Sequence, residues 1–371
     1  MNLTIKDLLE VAVEKNASDL HITSYIPPRL RINGSLASLD MPALTPADTK
    51  ALIYGLLTER QKKQFEEKLE LDFSFGIKEL GRFRGNAFLQ KGAVAAAFRR
   101  FQPTMLSFEE LGIPKKLSRL CSLPRGLVLV TGPTGCGKST TLACMIEHIN
   151  RERGVHIITI EDPIEYFFSP KKSIINQREL LVDTLSYPNA LRSVLREDPD
   201  VVLVGEMRDL ITVESTLRVA ETGHLTFSTL HTNSAAETIS RIIDIFPPQY
   251  QPQVRIILSM CLEAVISQVL LPKADGSGRV LAMEILIPNA AIKNLIRENK
   301  IHQIYSAMQM GQEKFGMQTF NQSLASLYIH GQISFETAMD VTSKPEELAD
   351  IIQRREGLKV VARNNMSYQR P

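Results

Sequence analysis

Apolar side chains recur at two different periods along this chain, and the changes of period divide it into parts. Over residues 3–15 they fall at helical spacing: Ile5, Leu8, Leu9, Ala12 and Val13. Residues 17–22 and 27–34 read as extended. In the second stretch Leu30 and Ile32 alternate with Arg29 and Arg31, and the run ends at Asn33-Gly34, a strand-and-turn signal. Thr45-Pro46 opens a helix, with the threonine as cap and the proline in the first turn. A strongly charged helix covers about 59–69. Leu71–Phe75, Arg82–Phe88 and Ala93–Phe101 then predict a three-stranded meander. Residues 1–101 therefore form a mixed α+β domain around an antiparallel sheet. Gln102-Pro103 and Ile113-Pro114 punctuate a linker over 102–114, because proline cannot continue a helix there.

From Arg125 onward the pattern alternates strand and helix. Strands fall at about 127–131, 155–160, 200–204 and 225–230, and helices near 138–152, 186–196, 209–221 and 234–244. Such alternation implies a mainly parallel sheet flanked by helices, an α/β core over 115–288. After Phe246-Pro247-Pro248 the chain reads as mostly helical, apart from one strand at Arg279–Leu286, and 289–354 form a helical C-terminal region. Residues 355–371 are polar with little periodicity and are expected to be disordered.

Composition narrows the class. The 371 residues are 44% hydrophobic and 23% charged, enough for two or three soluble domains with a sizeable core. A net charge of +2 supplies no global basic field for nucleic acid. No apolar run approaches the ~18 residues of a membrane span, and Met1–Asp7 lacks the layout of a secretory signal. Cys121, Cys136, Cys144 and Cys261 are scattered without a C-x-x-C pair, which argues against a zinc module and fits a reducing cytoplasm.

The chemistry centres on Gly132-Pro133-Thr134-Gly135-Cys136-Gly137-Lys138-Ser139-Thr140. Gly132, Gly137, Lys138 and Ser139 fill the pattern of a phosphate-binding loop, between an apolar run and a helix start. Glycines let several backbone N–H groups converge on one anion, and the positive end of the following helix adds to the attraction. Lys138 is placed for the β- and γ-phosphates of a nucleoside triphosphate and Ser139 for Mg2+. Two acid clusters end parallel strands, Glu161-Asp162-Pro163-Ile164-Glu165 and Gly205-Glu206, and such strand ends face a ligand at the sheet's carboxyl edge. Gly205 stands where an aspartate is usual, so Glu206 is the magnesium-side acid. His224 and His231 bracket the fourth strand. His231, at the carboxyl end, suits a γ-phosphate sensor or a contact to a neighbouring subunit, and otherwise each histidine is an ordinary hydrogen-bonding residue. Arg82, Arg84, Arg99 and Arg100 lie in the first domain's strands, either as arginine fingers or as surface residues of a half-exposed sheet.

On these residues the chain resembles the type IV pilus retraction ATPases (the PilT family), within the secretion-type ATPase superfamily, up to about Gln353. The segments that carry the resemblance are Ala17–His21, Gly132–Thr141, Thr159–Tyr166, Asn176–Glu179, Arg196–Asp209 and Ala220–Ala235. Pro288–Glu298 is similar to the family's A-I-R-N-L-I-R-E signature, with Lys293 in place of an arginine, and Cys136 stands where serine is usual. Independently of the resemblance, Ile292, Leu295 and Ile296 fall on one face of a helix, with Lys293 and Arg297 on its polar side.

The resemblance implies a PAS-like first domain, a RecA-like P-loop core and a homo-hexameric ring. It places the general base at Glu165, with Glu161 and Asp162 in support, the Walker B acid at Glu206, the histidine box at His224 and His231, and the arginines best at Arg84 and Arg99. It implies ATP hydrolysis to ADP with Mg2+, in a cytoplasmic motor recruited to the inner-membrane base of the pilus machine. The partner there is a platform protein, and the membrane is met only through it. A paralogous retraction ATPase is a further partner. The extension motors and general-secretion ATPases usually carry an extra N-terminal domain and a four-cysteine zinc motif, neither of which is read here. The accessory retraction paralogue, a nucleic-acid translocase and a non-hydrolysing regulator are the remaining alternatives.

Overall fold

The computed structural model describes residues 3–32, 34–100, 105–311 and 315–355. The linker expected over 102–114 falls outside them at 102–104, as does the expected tail from 356 onward. The chain forms two compact units, Met1–Thr104 and Met105–Pro371.

In the first unit, helices α1 (Ile5–Glu14), α2 (Pro46–Tyr54) and α3 (Glu59–Lys68) each start at a threonine. The hydroxyls of Thr4, Thr45 and Thr58 accept from the backbone N–H groups of Asp7, Asp48 and Gln61, whose side-chain oxygens accept in return from the threonine N–H groups, which satisfies backbone donors that a helix start leaves open. The strands are β1 (Asp19–Ile22), β2 (Arg29–Ile32), β3 (Ser35–Ser38), β4 (Glu70–Ile77), β5 (Gly81–Gln90) and β6 (Ala93–Arg100). They form one antiparallel sheet in the order β3-β2-β1-β6-β5-β4. Strand β3 was not expected from the sequence. One face of the sheet buries Leu20, Leu30, Phe83 and Phe98 against Leu8, Leu9, Ile53 and Phe65 of the helices. Gly85 is obligatory in that layer: a Cβ there would lie 2.7 Å from the Phe73 ring. The opposite face carries Asp19, Arg99 and Arg84 in adjacent register, Asp19 opposite Arg99 and Arg99 opposite Arg84.

The second unit begins with a 3₁₀ turn, Lys115–Ser122. It continues as β7 (Gly126–Thr131), α4 (Lys138–Glu152), β8 (His156–Glu161), β9 (Ile174–Glu179), α5 (Tyr187–Val194), β10 (Val201–Val204), α6 (Leu210–Glu221) and β11 (Leu225–Leu230). Then follow α7 (Ala235–Asp244), α8 (Gln251–Cys261), β12 (Leu262–Pro272), β13 (Arg279–Leu286), α9 (Ala290–Arg297) and α10 (Ile304–Met310), with helices Phe320–Ile329 and Phe335–Val341 and helical residues 345–355 beyond. The sheet order is β13-β12-β7-β11-β10-β8-β9, parallel except for β13. Period-two alternation sorts the strand residues. Val128 and Val130 pack toward α4 and the 3₁₀ turn with Met145, Ile149 and Leu117, whereas Leu127 and Leu129 pack toward α6 to α9 with Leu217, Ile239, Leu258 and Ile296.

The stretch after Pro248 is not helical up to the strand at Arg279. Strand β12 follows α8 without a loop and pairs with β7 on one side and β13 on the other. It is buried on both faces, so it shows no alternation that distinguishes it from a buried helix. Strand β9, at the opposite edge, was also not expected.

Candidate active site

Strand β7 is buried at every residue and delivers the chain to Gly132 at the carboxyl edge of the sheet. Gly132 has φ +139°, and a Cβ there would lie 2.2 Å from the Gln268 carbonyl oxygen, so only glycine passes. Gly135 (φ +79°) and Gly137 (φ +88°) also take left-handed backbone, curling the loop into the start of α4. No side chain caps that helix start. Its amides are thus left to an anion, as a phosphate site requires.

The Lys138 ammonium folds back over the loop, donating to the Gly132 carbonyl (2.8 Å) and the Pro133 carbonyl (3.1 Å) and standing 3.4 Å from His231 Nδ1. An ammonium only donates, so Nδ1 accepts and the ring proton sits on Nε2. Nε2 faces Glu206 Oε1 at 3.1 Å. Lys138, His231 and Glu206 therefore form one connected line. Burial holds the Lys138 pKa below its usual value, opposed by the charges of Cys136, Glu206 and Glu165.

Glu206 follows β10 and is partly buried, and its second oxygen accepts from Arg208 Nε at 2.8 Å. Glu161 ends β8 and accepts from the Thr159 hydroxyl at 2.6 Å and from Gln177 Nε2 at 3.4 Å. A cavity of about 30 Å³ lies between Ser139, Glu161, Tyr166, Gly205 and Thr229, large enough for one water. Burial pushes the Glu161 carboxyl up to about 7, against the bonds from Thr159 and Gln177, with the Glu165 charge adding to the rise. Glu165 is exposed. The Thr140 hydroxyl meets the Tyr166 hydroxyl at 2.8 Å, tying α4 to the acid-bearing loop.

The structure thus brings together the loop Gly132–Thr140, Lys138, Ser139, Glu161, Glu206 and His231. Glu165 is near enough for its charge to act on Lys138. His224 is not part of this group. It lies at the amino end of β11, roughly 20 Å away along a six-residue strand, where its Nδ1 is 3.1 Å from the Val219 carbonyl and 3.2 Å from Thr222 Oγ1. In α9, Ile292 and Ile296 are fully buried, Leu295 is partly buried and Lys293 pairs with Glu263 at 3.1 Å. Arg297 is exposed. In the first unit, Arg99 Nε lies 2.8 Å from Asp19 and Arg84 lies 3.6 Å from Asp72. The Asp19 carboxyl stays below its usual range. Burial alone would raise it, but bonds from Ser18 and Arg99 outweigh that. Arg82 donates to the Ser74 hydroxyl at 2.7 Å.

Sequence reasoning missed Gln268 on β12. Its Nε2 donates to the Cys136 carbonyl at 2.9 Å and its Oε1 accepts from the Thr141 hydroxyl at 3.0 Å. It missed Arg208 as well, although Arg208 lies only two residues beyond Glu206.

The donor set fits a metal-nucleotide complex. Among the described residues no group of three or more His, Cys, Asp and Glu could hold a metal alone. The Ser139 hydroxyl and the Glu206 carboxylate are hard oxygen donors of the kind Mg2+ takes when phosphates complete its shell.

The family model described as "Type II/IV secretion system protein" matches residues 1–315. A Pseudomonas aeruginosa protein named "Type IV pilus retractation ATPase PilT" is 49% identical over 344 residues, covering 93% of this chain and 99% of that one. A Neisseria gonorrhoeae protein named "Twitching motility protein" is 48% identical over 346 residues, covering 93% and 92%. A crystal structure of the pilus retraction motor PilT with bound ADP superposes with a TM-score of 0.89 at 55% identity, covering 94% of this chain and 99% of that one. The chain is an ATPase of the type II/IV secretion system protein family and, within that family, belongs with the type IV pilus retraction ATPases.

Proposed function

We propose that this chain is the motor that powers type IV pilus retraction. It works as a cytoplasmic homo-hexamer at the inner-membrane base of the pilus machine and hydrolyses ATP to ADP and phosphate. The observation that supports this reading most is near-full-length similarity to retraction ATPases, joined to a complete Lys138, Ser139, Glu206 and His231 constellation.

The amides of Gly135–Ser139 and the Lys138 ammonium hold the phosphates. Ser139 and Glu206 would hold Mg2+, which would supply positive charge against the phosphoryl oxygens. His231 carries its proton on Nε2 beside Glu206 and keeps Nδ1 toward Lys138, so it senses whether the ammonium has left the loop carbonyls for a phosphate. Glu165 is the general base, with Glu161 and Asp162 in support. Glu161 has its own claim to the proton, because a carboxyl near neutrality beside Ser139 is matched to accept one from water. Arg84 and Arg99 are the candidate arginine fingers, and Asp19 orients Arg99. The exposed side of α9, at Arg297, contacts the retraction machinery, which includes an inner-membrane platform protein and, where one is present, a paralogous retraction ATPase.

Deletion of the gene in its native host, with rescue by the intact chain, tests the reading. Excess immobile pili and loss of surface motility are expected on deletion. Bald cells would identify an extension motor instead.

A further inference from the structure

Both oxygens of Glu206 are engaged by protein side chains. Oε1 lies 3.1 Å from His231 Nε2, and Oε2 accepts from Arg208 Nε at 2.8 Å. Arg208 also lies 3.8 Å from Asp162, so one guanidinium spans the loops that follow β8 and β10. The partners differ in freedom: the Arg208 side chain is 61% exposed and the Glu206 side chain only 19%. The acid is fixed by its strand end, and the arginine is the member that can leave.

We propose that Arg208 is a positioning residue that competes with the metal for Glu206, holding the carboxylate until a metal-nucleotide complex displaces it. The proposal rests on the reading of Glu206 as the magnesium-side acid. A guanidinium bonded along Oε2 uses the lone pairs that a cation would need, and two cations on one carboxylate oxygen repel each other. Once displaced, Arg208 keeps a carboxylate within reach in Asp162, whose side chain is 38% exposed, so its charge is not stranded. Metal entry is thereby set against an internal cation. The bridge from Arg208 to Asp162 is kept as the metal arrives, so metal occupancy shifts Arg208 toward the loop that carries Glu161 and Glu165.

The test measures ADP affinity of the full-length protein by calorimetry, in EDTA and across a Mg2+ titration, for the parent, Arg208→Gln, Arg208→Lys and Glu206→Gln. Arg208→Gln should leave the metal-free ADP Kd within twofold of the parent. It should lower the Mg2+ concentration giving half-maximal tightening by about three- to fivefold, the range expected for a partly exposed ion pair. Arg208→Lys keeps the charge without the fork and should fall between the two. An Arg208→Gln midpoint equal to the parent's, or equal weakening of metal-free and metal-bound ADP, overturns the proposal. Glu206→Gln should lose the Mg2+ dependence. If it keeps that dependence, the assignment of Glu206 has failed. If it loses the dependence while Arg208→Gln leaves the midpoint unmoved, the role of Arg208 alone has failed.

Discussion

Gln268 holds Cys136: the side-chain amide of a buried residue on β12 donates to the carbonyl of the phosphate loop at 2.9 Å. Through its other atom the same amide accepts from Thr141 in the first turn of α4. The loop is therefore braced from the neighbouring strand as well as by its own glycines. Gln268→Leu leaves the Cys136 carbonyl and the Thr141 hydroxyl without these partners in a dry site, at about 1–3 kcal/mol for a buried unsatisfied group. ADP binding should weaken about tenfold or more. Global stability, followed by urea unfolding, should fall by about 2 kcal/mol. An ADP Kd equal to the parent's would show that the loop holds its shape without Gln268.

The Glu161 carboxyl makes the ligand-free protein sensitive to pH. Its folded-state value of about 7 lies above the ordinary glutamate value of 4.5, so between these values the folded state binds more protons than the unfolded chain. The stabilising contribution of protonated Glu161 is complete below about 4.5 and is lost as pH rises through 7. Glu161→Gln removes the titration and can keep the acceptor for Thr159. The variant should be more stable than the parent at pH 8, by on the order of 2 kcal/mol, with the difference shrinking toward pH 5. A stability difference that does not change with pH would refute this. ATP turnover measured beside Glu165→Gln separates the two candidate bases. The stronger loss belongs to the group that takes the proton.

Arg297 presents a charge on α9 that the fold does not bury. Its NH2 contact to Asn294 is long, at 3.4 Å, whereas the neighbouring Lys293 is engaged with Glu263. Arg297→Ala should change stability by less than about 0.5 kcal/mol, as surface substitutions usually do. It should also leave ATP turnover at the parent level, yet reduce pilus shortening in cells. A turnover defect in the purified protein would place Arg297 in the ATPase cycle instead of at a contact surface.

What could be read from the sequence follows from which residues announce their conformation. Gly132, Gly137, Lys138 and Ser139 are tied to a loop geometry that few other residues allow, so the phosphate site was visible at once. The acids Glu161 and Glu206 followed because parallel strands end at the same edge. Gln268 was hidden for the opposite reason. It lies in Leu262–Pro272, a run apolar enough to be buried on both faces and joined directly to α8, so neither period nor turn signal marked it. Its β-branched residues, Val265, Ile266 and Val269, were the available clue. His224 and His231 bracket the fourth strand in the sequence, and the six residues of β11 put them at opposite edges of the sheet, so only His231 meets Lys138. The pairing of Lys293 with Glu263 joins residues 30 apart in sequence and leaves no local pattern.

If hydrolysis at the Lys138–Ser139 loop drives pilus retraction, time-lapse imaging of fluorescently labelled pili reads it out. The cells lack the native gene and express the intact chain or Lys138→Ala at matched levels. The intact chain should restore pilus shortening, whereas Lys138→Ala should leave extended pili that do not shorten, with ATP turnover of the purified variant reduced at least about a hundredfold. Parent-like shortening in cells carrying only Lys138→Ala would contradict it.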